Sequence, residues 1–436
     1  MRTTSDRIGI GFLGLGNIGS AVLRNLDRRA DDLERQIGRG ISVHHALVRD
    51  VEKPRDVPIS AGRVTTDVGC VINDPNINII VEVLGGVDPA HDYVRQALEA
   101  GKHVVTANKE LMAAHGVELL TLAADRGLDL CFEGSVGGGI PLIGPFRRDL
   151  MANEIQEVHA ILNGTTNYIM SQMANHGSDY DTALAEAQAL GYAEPDPTND
   201  VEGHDAAFKA SILATLAFKG AIAPETVFRE GITSLTQADF TYAAELGYSI
   251  KLLAIAKRSD TGIEVRVHPT LIQREFLLGQ VDGVYNAVRV TGDLLGRALF
   301  VGRGAGPQPT SSAILADIID IGHNIDQSSH SRIPLLFDRS VTILPMGHVS
   351  SRYYIRLWVN DHPGVLARIA AICGEHAISI ASVLQKEVDA DAQSAELVLL
   401  THEAREIDWQ AALARIQSLN VVPKVASVIR IEDLLD

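Results

Sequence analysis

The feature that most narrows what this chain can become is a glycine pattern near its start. Gly14-Leu15-Gly16-Asn17-Ile18-Gly19 lies between an apolar run, Ile8–Leu13, and an amphipathic stretch, Asn17–Gln36. Three glycines at this spacing permit a tight turn, close approach of backbone to a pyrophosphate and close helix–strand packing, while the helix N-terminus faces the anion. The bare pattern is weak evidence. Its position between a strand-like run and a helix-like run favours a dinucleotide turn over a merely structural glycine turn.

The same alternation continues. Ile41–Val48, Ile77–Val83, His103–Val105 and Asp129–Glu133 read as strands, with Pro89–Ala100 and Lys109–Arg126 as helices. Strand–helix repetition of this kind predicts right-handed crossovers and an α/β fold with a Rossmann-like, doubly wound parallel sheet. From about Gly144 longer helical patterns appear, Tyr180–Leu190 and Asp205–Lys219, then strand-like Ile263–Pro269 and Asn286–Gly292, predicting an α+β domain. Gly302–Gly306 opens into an apolar helix, Ser311–Asp320. The C-terminal stretch reads Tyr353–Asn360 strand, Val365–Glu375 helix, Ile378–Lys386 and Ala395–His402 strands, Arg405–Leu419 helix and Val421–Ile431 strand. That order is ferredoxin-like βαββαβ. The expected domains are 1–143 for the dinucleotide, completed by about 304–323, then an α+β domain at 144–303, a linker at 324–350 and a separate ferredoxin-like module at 351–436.

Composition closes off other classes. A chain of 436 residues is long enough for about three domains. A formal charge of −17, from 38 Lys and Arg against 55 Asp and Glu, argues against nucleic acid or an anionic membrane as the main partner. Cys70, Cys131 and Cys373 lie far apart, offering neither a disulfide framework nor a thiolate metal site. With no signal-peptide pattern and no apolar run near the roughly 20 residues a bilayer needs, the expectation is a cytoplasmic protein.

Four segments can carry chemistry. At the end of the second strand, Asp50 can bind a ribose hydroxyl, or Arg49 and Lys53 can hold a 2′-phosphate, so NAD and NADP both stand. Thr106-Ala107-Asn108-Lys109 follows a strand, where Lys109 either reaches a ligand or simply begins a helix. Glu133-Gly134-Ser135-Val136-Gly137-Gly138-Gly139-Ile140-Pro141 is an interdomain hinge or an oxygen-lined cation loop; spacing alone favours the hinge. The densest polar cluster, residues 193–209, enters an apolar helix in which Asp205 and Lys209 share one face at i, i+4. Such a pair is a surface salt bridge or, where water is scarce, a proton-exchanging lysine steered by an aspartate.

Together these segments, with ILNGTTNYIM (161–170), LGYAEPDPTNDVEGHDAAFK (190–209) and GRGAGPQPT (302–310), resemble homoserine dehydrogenase carrying a C-terminal ACT domain. The resemblance implies NAD- or NADP-dependent interconversion of L-homoserine and L-aspartate 4-semialdehyde, towards threonine, methionine and isoleucine, with 144–303 as the substrate-binding, catalytic and dimerisation domain and 351–436 as the regulatory one. It implies Lys209 as the proton carrier, Asp205, Glu194, Asp200 and Gly191 at the substrate, and Lys109 between substrate and cofactor. Gly14, Gly16, Asn17, Ile18, Gly19, Arg49, Lys53, Thr106 and Gly306 would meet the cofactor. It also implies a sodium-type cation on Glu133 and the carbonyls of Val136, Gly138 and Ile140, against the hinge, and a homo-oligomer, dimer or tetramer. Within the ACT-like stretch, Asn360, Asp361, Gly364, Val365 and Leu366 form a strand, turn and helix start suited to an amino-acid carboxylate, so L-threonine is the expected effector. The alternative there is a purely dimerising module.

Two rival readings are weaker. A non-catalytic nucleotide sensor needs no lysine–aspartate pair. A related semialdehyde dehydrogenase needs a reactive cysteine, and Cys131 sits in an apolar strand without a helix-start setting.

Overall fold

The computed structural model describes residues 7–55, 57, 59–330, 335, 337, 341–385 and 394–434. Parts of the expected linker 324–350 and the last residue of the expected strand Ile378–Lys386 lie outside the described residues.

The chain opens with β1 (Ile8–Leu13), whose six residues are all buried, as a strand covered by helices on both faces requires. Then come α1 (Asn17–Arg28), α2 (Ala30–Ile37), β2 (Ile41–Leu47), β3 (Val64–Thr65), α3 (Gly69–Ile72), β4 (Ile79–Glu82), α4 (Ala90–Glu99), β5 (His103–Thr106), α5 (Lys109–Asp125), β6 (Leu130–Cys131) and α6 (Ile143–Arg147). The sheet order is β3-β2-β1-β4-β5-β6, with parallel pairing throughout. Strand order reverses between β1 and β4, and the crevice beyond the carboxyl ends at such a reversal is where doubly wound sheets take ligands. One expectation needs correcting: Asn17–Gln36 is two helices. The chain breaks at Arg29 (φ −107°, ψ 16°), outside helical values, while apolar spacing continues through Leu26, Leu33 and Ile37 and so conceals the break.

Past α6 the elements are β7 (Ile155–Ile161), α7 (Gly164–His176), α8 (Tyr180–Ala189), α9 (Thr198–Val201), α10 (His204–Phe218), β8 (Phe228–Arg229), α11 (Gln237–Glu245), β9 (Tyr248–Ser259), β10 (Gly262–Gln273), β11 (Tyr285–Gly292), β12 (Gly296–Arg303) and α12 (Pro307–Asp326). Sequence periodicity does not reveal β7, α7, α11, β9 or β12. In β9 the run from Ile250 to Ala256 is buried on both faces, leaving no period-2 alternation to read. The last elements are β13 (Ser350–Asn360), α13 (Val365–Glu375), β14 (Ile380–Gln385), β15 (Ser394–Thr401), β16 (Ala404–Arg405), α14 (Glu406–Gln417) and β17 (Lys424–Ile431). Apart from the two-residue β16, this is the expected βαββαβ order. Among the described residues no helix is long and apolar enough to cross a membrane.

The chain forms two compact units: Met1–Val158, Phe208–Pro224 and Asn286–Val341 in the first, and His159–Ala207, Glu225–Tyr285 and Thr342–Asp436 in the second. In the first, Ile314, Leu315, Ile318 and Ile321 of α12 join Ile8, Ile10 and Phe12 of β1 in one apolar core. The C-terminal strands in the second unit continue a sheet in the order β9-β10-β17-β13-β15-β14. There β17 runs parallel to β10, pairing Arg430 with Thr270 and Ile431 with Leu271. Trp409 of α14 is buried and stacks on Tyr353 of β13 with ring centroids 4.5 Å apart.

Charged side chains are buried along that junction. The Glu432 carboxylate accepts from Arg266 at 2.9 Å and meets His159 at 3.3 Å and Lys257. Glu406 accepts from Arg430 Nε at 2.8 Å and Nη2 at 2.6 Å, and from Tyr353 Oη at 2.8 Å. Burial works against both carboxylates, yet Arg266 holds Glu432 well below its ordinary value and Arg430 holds Glu406 below its own. A depressed carboxylate stabilises the fold above the unfolded-state pKa and loses that contribution as pH falls through the folded value. Melting temperature should therefore drop as pH falls below about 4.3, the ordinary glutamate value. Glu432→Gln, which takes from Arg266 its nearer carboxylate and leaves only Glu264 at 3.4 Å, should cost about 3 kcal/mol at pH 7, the lower end for a broken buried pair, and flatten the acid limb. Calorimetry from pH 7 to 3.5 checks both; an unshifted melting temperature at pH 7 contradicts the argument.

Candidate active site

The nucleotide turn has the geometry its glycines predict. Gly14 sits at φ +102°, and a Cβ there would lie 2.9 Å from Val83 O. A Cβ on Gly19 would meet Gly14 O at 2.5 Å, so α1 packs as close to β1 as backbone allows. A Cβ on Gly16 would meet nothing within 4 Å. This exposed N-cap of α1 thus presents open backbone at a helix start, where an anion is favoured. Asn17 is exposed and Ile18 half-buried. Arg49, Asp50 and Lys53 are exposed beyond β2; Asp50 Oδ1 accepts from the Glu52 N–H at 2.9 Å.

One residue here escaped the sequence reading. Glu82, the last residue of β4, is fully buried. Its Oε2 accepts from Thr106 Oγ1 at 2.5 Å, and its Oε1 from the Leu84 N–H at 2.7 Å and Asn108 Nδ2 at 3.4 Å. Asn108 then caps α5, its Oδ1 accepting from the Leu111 N–H at 3.1 Å, and donates to Gly86 O at 2.6 Å. Burial pushes the Glu82 carboxyl up despite these donors. Lys109, the partly exposed first residue of α5, begins from this framework. The available signal was an acid ending an otherwise apolar strand, Ile79-Ile80-Val81-Glu82.

The glycine-rich segments are pressed against each other by backbone. Gly138 has φ +54°, and its Cβ would stand 2.6 Å from the Gly304 carbonyl; Gly139 N–H donates to Arg303 O at 3.1 Å. Gly306, at φ +115°, is the N-cap of α12. The Glu133 carboxylate takes the N–H groups of Leu142 (2.5 Å), Ile143 (2.9 Å) and Gly144 (2.6 Å) at the start of α6. With two lone pairs per oxygen, Oε2 retains acceptor capacity and Oε1 is filled. Asp317 of α12 accepts from the Glu133 N–H at 2.9 Å. Burial, reinforced by the charge of Glu133, raises its carboxyl well above the usual range. Val136, Gly138 and Ile140 are buried in the same turn. Cys131 is buried, and burial pushes its thiol well up, the opposite of a reactive thiolate.

The second unit gathers the acids. Asn163, which follows β7, donates from Nδ2 to Asp200 Oδ1 at 2.7 Å and to Asp205 Oδ2 at 2.9 Å. Its Oδ1 caps α7 through the Thr166 N–H at 2.8 Å. Sequence reading quotes this asparagine within ILNGTTNYIM without giving it a role; an Asn before Gly-Thr-Thr is the N-cap signal that could have found it. Asp205 and Lys209, 6% and 7% exposed, lie one turn apart on α10. Residues Ala206, Ala207, Ala210, Ile212 and Leu213 around them are buried, so this pair is no surface salt bridge. Gly191 (φ +75°) and Glu194 are exposed on the loop before α9. That loop is pinned by Thr165 Oγ1 on Tyr192 O (2.7 Å) and by Gln188 Nε2 on Glu194 O (3.1 Å).

Gly14–Gly19, Thr106, Lys109, Glu133–Ile140 and Gly306 thus belong to the first unit, with Lys209, and Gly191, Glu194, Asp200 and Asp205 to the second. Farther along, Gly364 (φ +92°) is the exposed N-cap of α13. Asn360 donates its N–H to Val421 O at 3.0 Å. Asp361 and Leu366 are exposed and Val365 is buried.

Comparison with known proteins yields consistent matches. A family model described as homoserine dehydrogenase matches residues 141–319, one for the homoserine dehydrogenase NAD-binding domain matches 14–133, and one for the ACT domain matches 353–421. Homoserine dehydrogenases of Pseudomonas aeruginosa and Neisseria gonorrhoeae are each 43% identical, over 98% of this chain and 99% of theirs. A crystal structure of a homoserine dehydrogenase from Thiobacillus denitrificans is 44% identical, with a TM-score of 0.91 and 98% coverage of each chain. A hyperthermophilic archaeal homoserine dehydrogenase in complex with NADPH is 26% identical, with a TM-score of 0.62 over 72% of this chain and 97% of that one.

Glu82 gives the sharpest test of the first-unit geometry. Glu82→Leu would strand the Thr106 hydroxyl, the Asn108 amide and the Leu84 N–H, at about 1–3 kcal/mol for a buried group left unsatisfied. The expected result is a lower melting temperature together with at least tenfold weaker nicotinamide-nucleotide binding by fluorescence titration. Glu82→Gln, which keeps the acceptor oxygen, should recover most of the binding; equal affinity in all three proteins contradicts the role.

Proposed function

The chain, whose C-terminal part matches an ACT domain, belongs to the homoserine dehydrogenase family of NAD(P)-dependent oxidoreductases, and on that premise we propose the reaction and the residues that carry it. The reaction is the reversible interconversion of L-homoserine and L-aspartate 4-semialdehyde, a step towards threonine, methionine and isoleucine. The observation that carries the assignment is the Asn163–Asp200–Asp205 cluster, with Asn163 and Asp205 buried and Asp200 half-buried, at the start of the helix that also buries Lys209.

Oxidising the terminal alcohol requires removal of one hydride from carbon and one proton from oxygen. The nicotinamide, when bound, supplies the hydride acceptor. Lys209 removes the hydroxyl proton and returns it in the reverse direction. Asp205, one turn earlier on α10, orients the lysine and the substrate. Asp200 and the exposed Glu194 offer negative charge to the substrate ammonium, with Gly191 lending backbone, while Lys109 sits between substrate and cofactor. Asn163 is a positioning residue: it holds two carboxylates that would otherwise repel each other.

The cofactor residues are Gly14, Gly16, Asn17, Ile18 and Gly19 on the pyrophosphate side, with Thr106, Lys109 and Gly306. The open backbone at Gly16 fits that use. We assign Arg49 and Lys53 to a 2′-phosphate and hence favour NADP; both are exposed, and Asp50 is engaged in its own turn. An archaeal relative in complex with NADPH points the same way. Glu133 and the carbonyls of Val136, Gly138 and Ile140 would hold a sodium-type cation. Hard oxygen donors suit such an ion, and its charge would offset the crowded Glu133 and Asp317. Asn360, Asp361, Gly364, Val365 and Leu366 would take the carboxylate and ammonium of L-threonine, giving feedback control.

Three measurements test this reading. Lys209→Ala should lower kcat by about 10²–10⁴-fold, the usual worth of a positioned proton carrier, with NADP binding retained; unchanged turnover contradicts the assignment. Replacing Arg49 and Lys53 together by Ala should raise KM for NADP roughly tenfold or more, the scale of a 1.4 kcal/mol loss, and leave KM for NAD alone; a parallel rise in both contradicts the 2′-phosphate role. Full-length enzyme should be inhibited by L-threonine, with the inhibition constant raised at least tenfold by Asp361→Ala. Activity indifferent to threonine would leave this module a dimerising one.

A further inference from the structure

Outside the residues assigned above, three side chains of the first unit converge on one point. His91 stands in the first turn of α4; His115 and Glu118 lie one turn apart on one face of α5. His91 Nε2 is 3.3 Å from Glu118 Oε1, His115 Nδ1 is 3.3 Å from Glu118 Oε2, and one donor atom of each residue lies within 4.8 Å of the other two. The imidazole rings face each other with centroids 4.1 Å apart and planes inclined by 34°. At 3.3 Å the His–Glu contacts are long for hydrogen bonds, whose N···O distances run about 2.7–3.2 Å. Each, running to a different oxygen of Glu118, is close to the edge of a tetrahedron around zinc, roughly 3.4 Å for bonds of about 2.1 Å. Beyond this set, Asp92 Oδ1 lies 3.7 Å from the other ring nitrogen of His91, the place from which a carboxylate orients a ligating histidine.

We propose that His91, His115 and Glu118 form a binding site for a zinc-class divalent ion, with water completing the coordination. Two imidazoles and one carboxylate select a borderline metal over magnesium or calcium, which prefer oxygen donors alone. The side chains are 19%, 34% and 53% exposed, so an ion enters from solvent without unfolding anything. The ligands sit on two helices joined through the adjacent strands β4 and β5, so a bound ion clamps α4 to α5, whose first residue is Lys109. This inference does not depend on the catalytic assignment.

Tag-free, full-length protein stripped with chelator and titrated with Co²⁺ provides the test. The expected result is one equivalent bound with micromolar affinity, an intense visible absorption of tetrahedral type, displacement by Zn²⁺, and a higher melting temperature with Zn²⁺ present. His91→Ala and His115→Ala should each weaken binding at least tenfold. Glu118→Gln, the mildest change and the safeguard should a histidine variant fail to fold, should remove the tetrahedral spectrum. Absence of binding below millimolar Co²⁺, or unchanged stoichiometry and spectrum in Glu118→Gln, overturns the site.

Discussion

The polar cluster of the second unit depends on an amide placed between two carboxylates. Asp200 and Asp205 approach closely enough for both to contact Asn163 Nδ2, at 2.7 and 2.9 Å. Bringing two carboxylates together where one of them, Asp205, is buried is costly unless donors are aimed at them. The asparagine supplies both donors, and its own oxygen is fixed by capping α7. Cap, acids and the entrance to α10 are therefore one construction. Lys209 projects from the same helix one turn on, so its direction follows from how that helix begins.

The first unit solves a related problem by the same means. Glu82 and Glu133 are acids placed where β4 and β6 run out, and both are satisfied by hydroxyl, amide or backbone N–H donors. Each thereby ties a loop to the strand behind it: Glu82 ties the Thr106–Asn108 turn, and Glu133 ties the start of α6. Glycines perform the complementary task. Gly138 against Gly304, and Gly19 against Gly14, let backbones approach to distances at which any Cβ would collide. Rigid turns at strand ends are what a site acting on a small, flexible amino acid requires, since its rate depends on alignment.

How much of this was legible beforehand follows from the physics of each element. The parallel sheet was readable because its strands are short apolar runs set between helical patterns, and β1 matched its expected bounds, Ile8–Leu13. The Asp205–Lys209 pair was readable because polar side chains stood at helical spacing in an apolar helix. Strand β9 was not, since burial on both faces erases alternation; neither was the break at Arg29, which interrupts no apolar spacing. Glu82 and Asn163 were missed for another reason. Their roles arise from contacts 24 to 42 residues away in sequence, and a residue's value as an acceptor or bridge has no local signature beyond a polar side chain ending a strand. The parallel pairing of β17 with β10 was likewise invisible, because a two-residue match between distant strands leaves no pattern.

A crystal structure of the full chain with NADP and L-homoserine bound together would bear on the central claim without relying on rates. The account predicts the Lys209 ammonium nitrogen within hydrogen-bond reach of the substrate hydroxyl oxygen, about 2.6–3.2 Å, with Asp205 touching lysine or substrate from the preceding turn. A complex in which another side chain meets that oxygen, and Lys209 remains out of reach of it, would contradict the account.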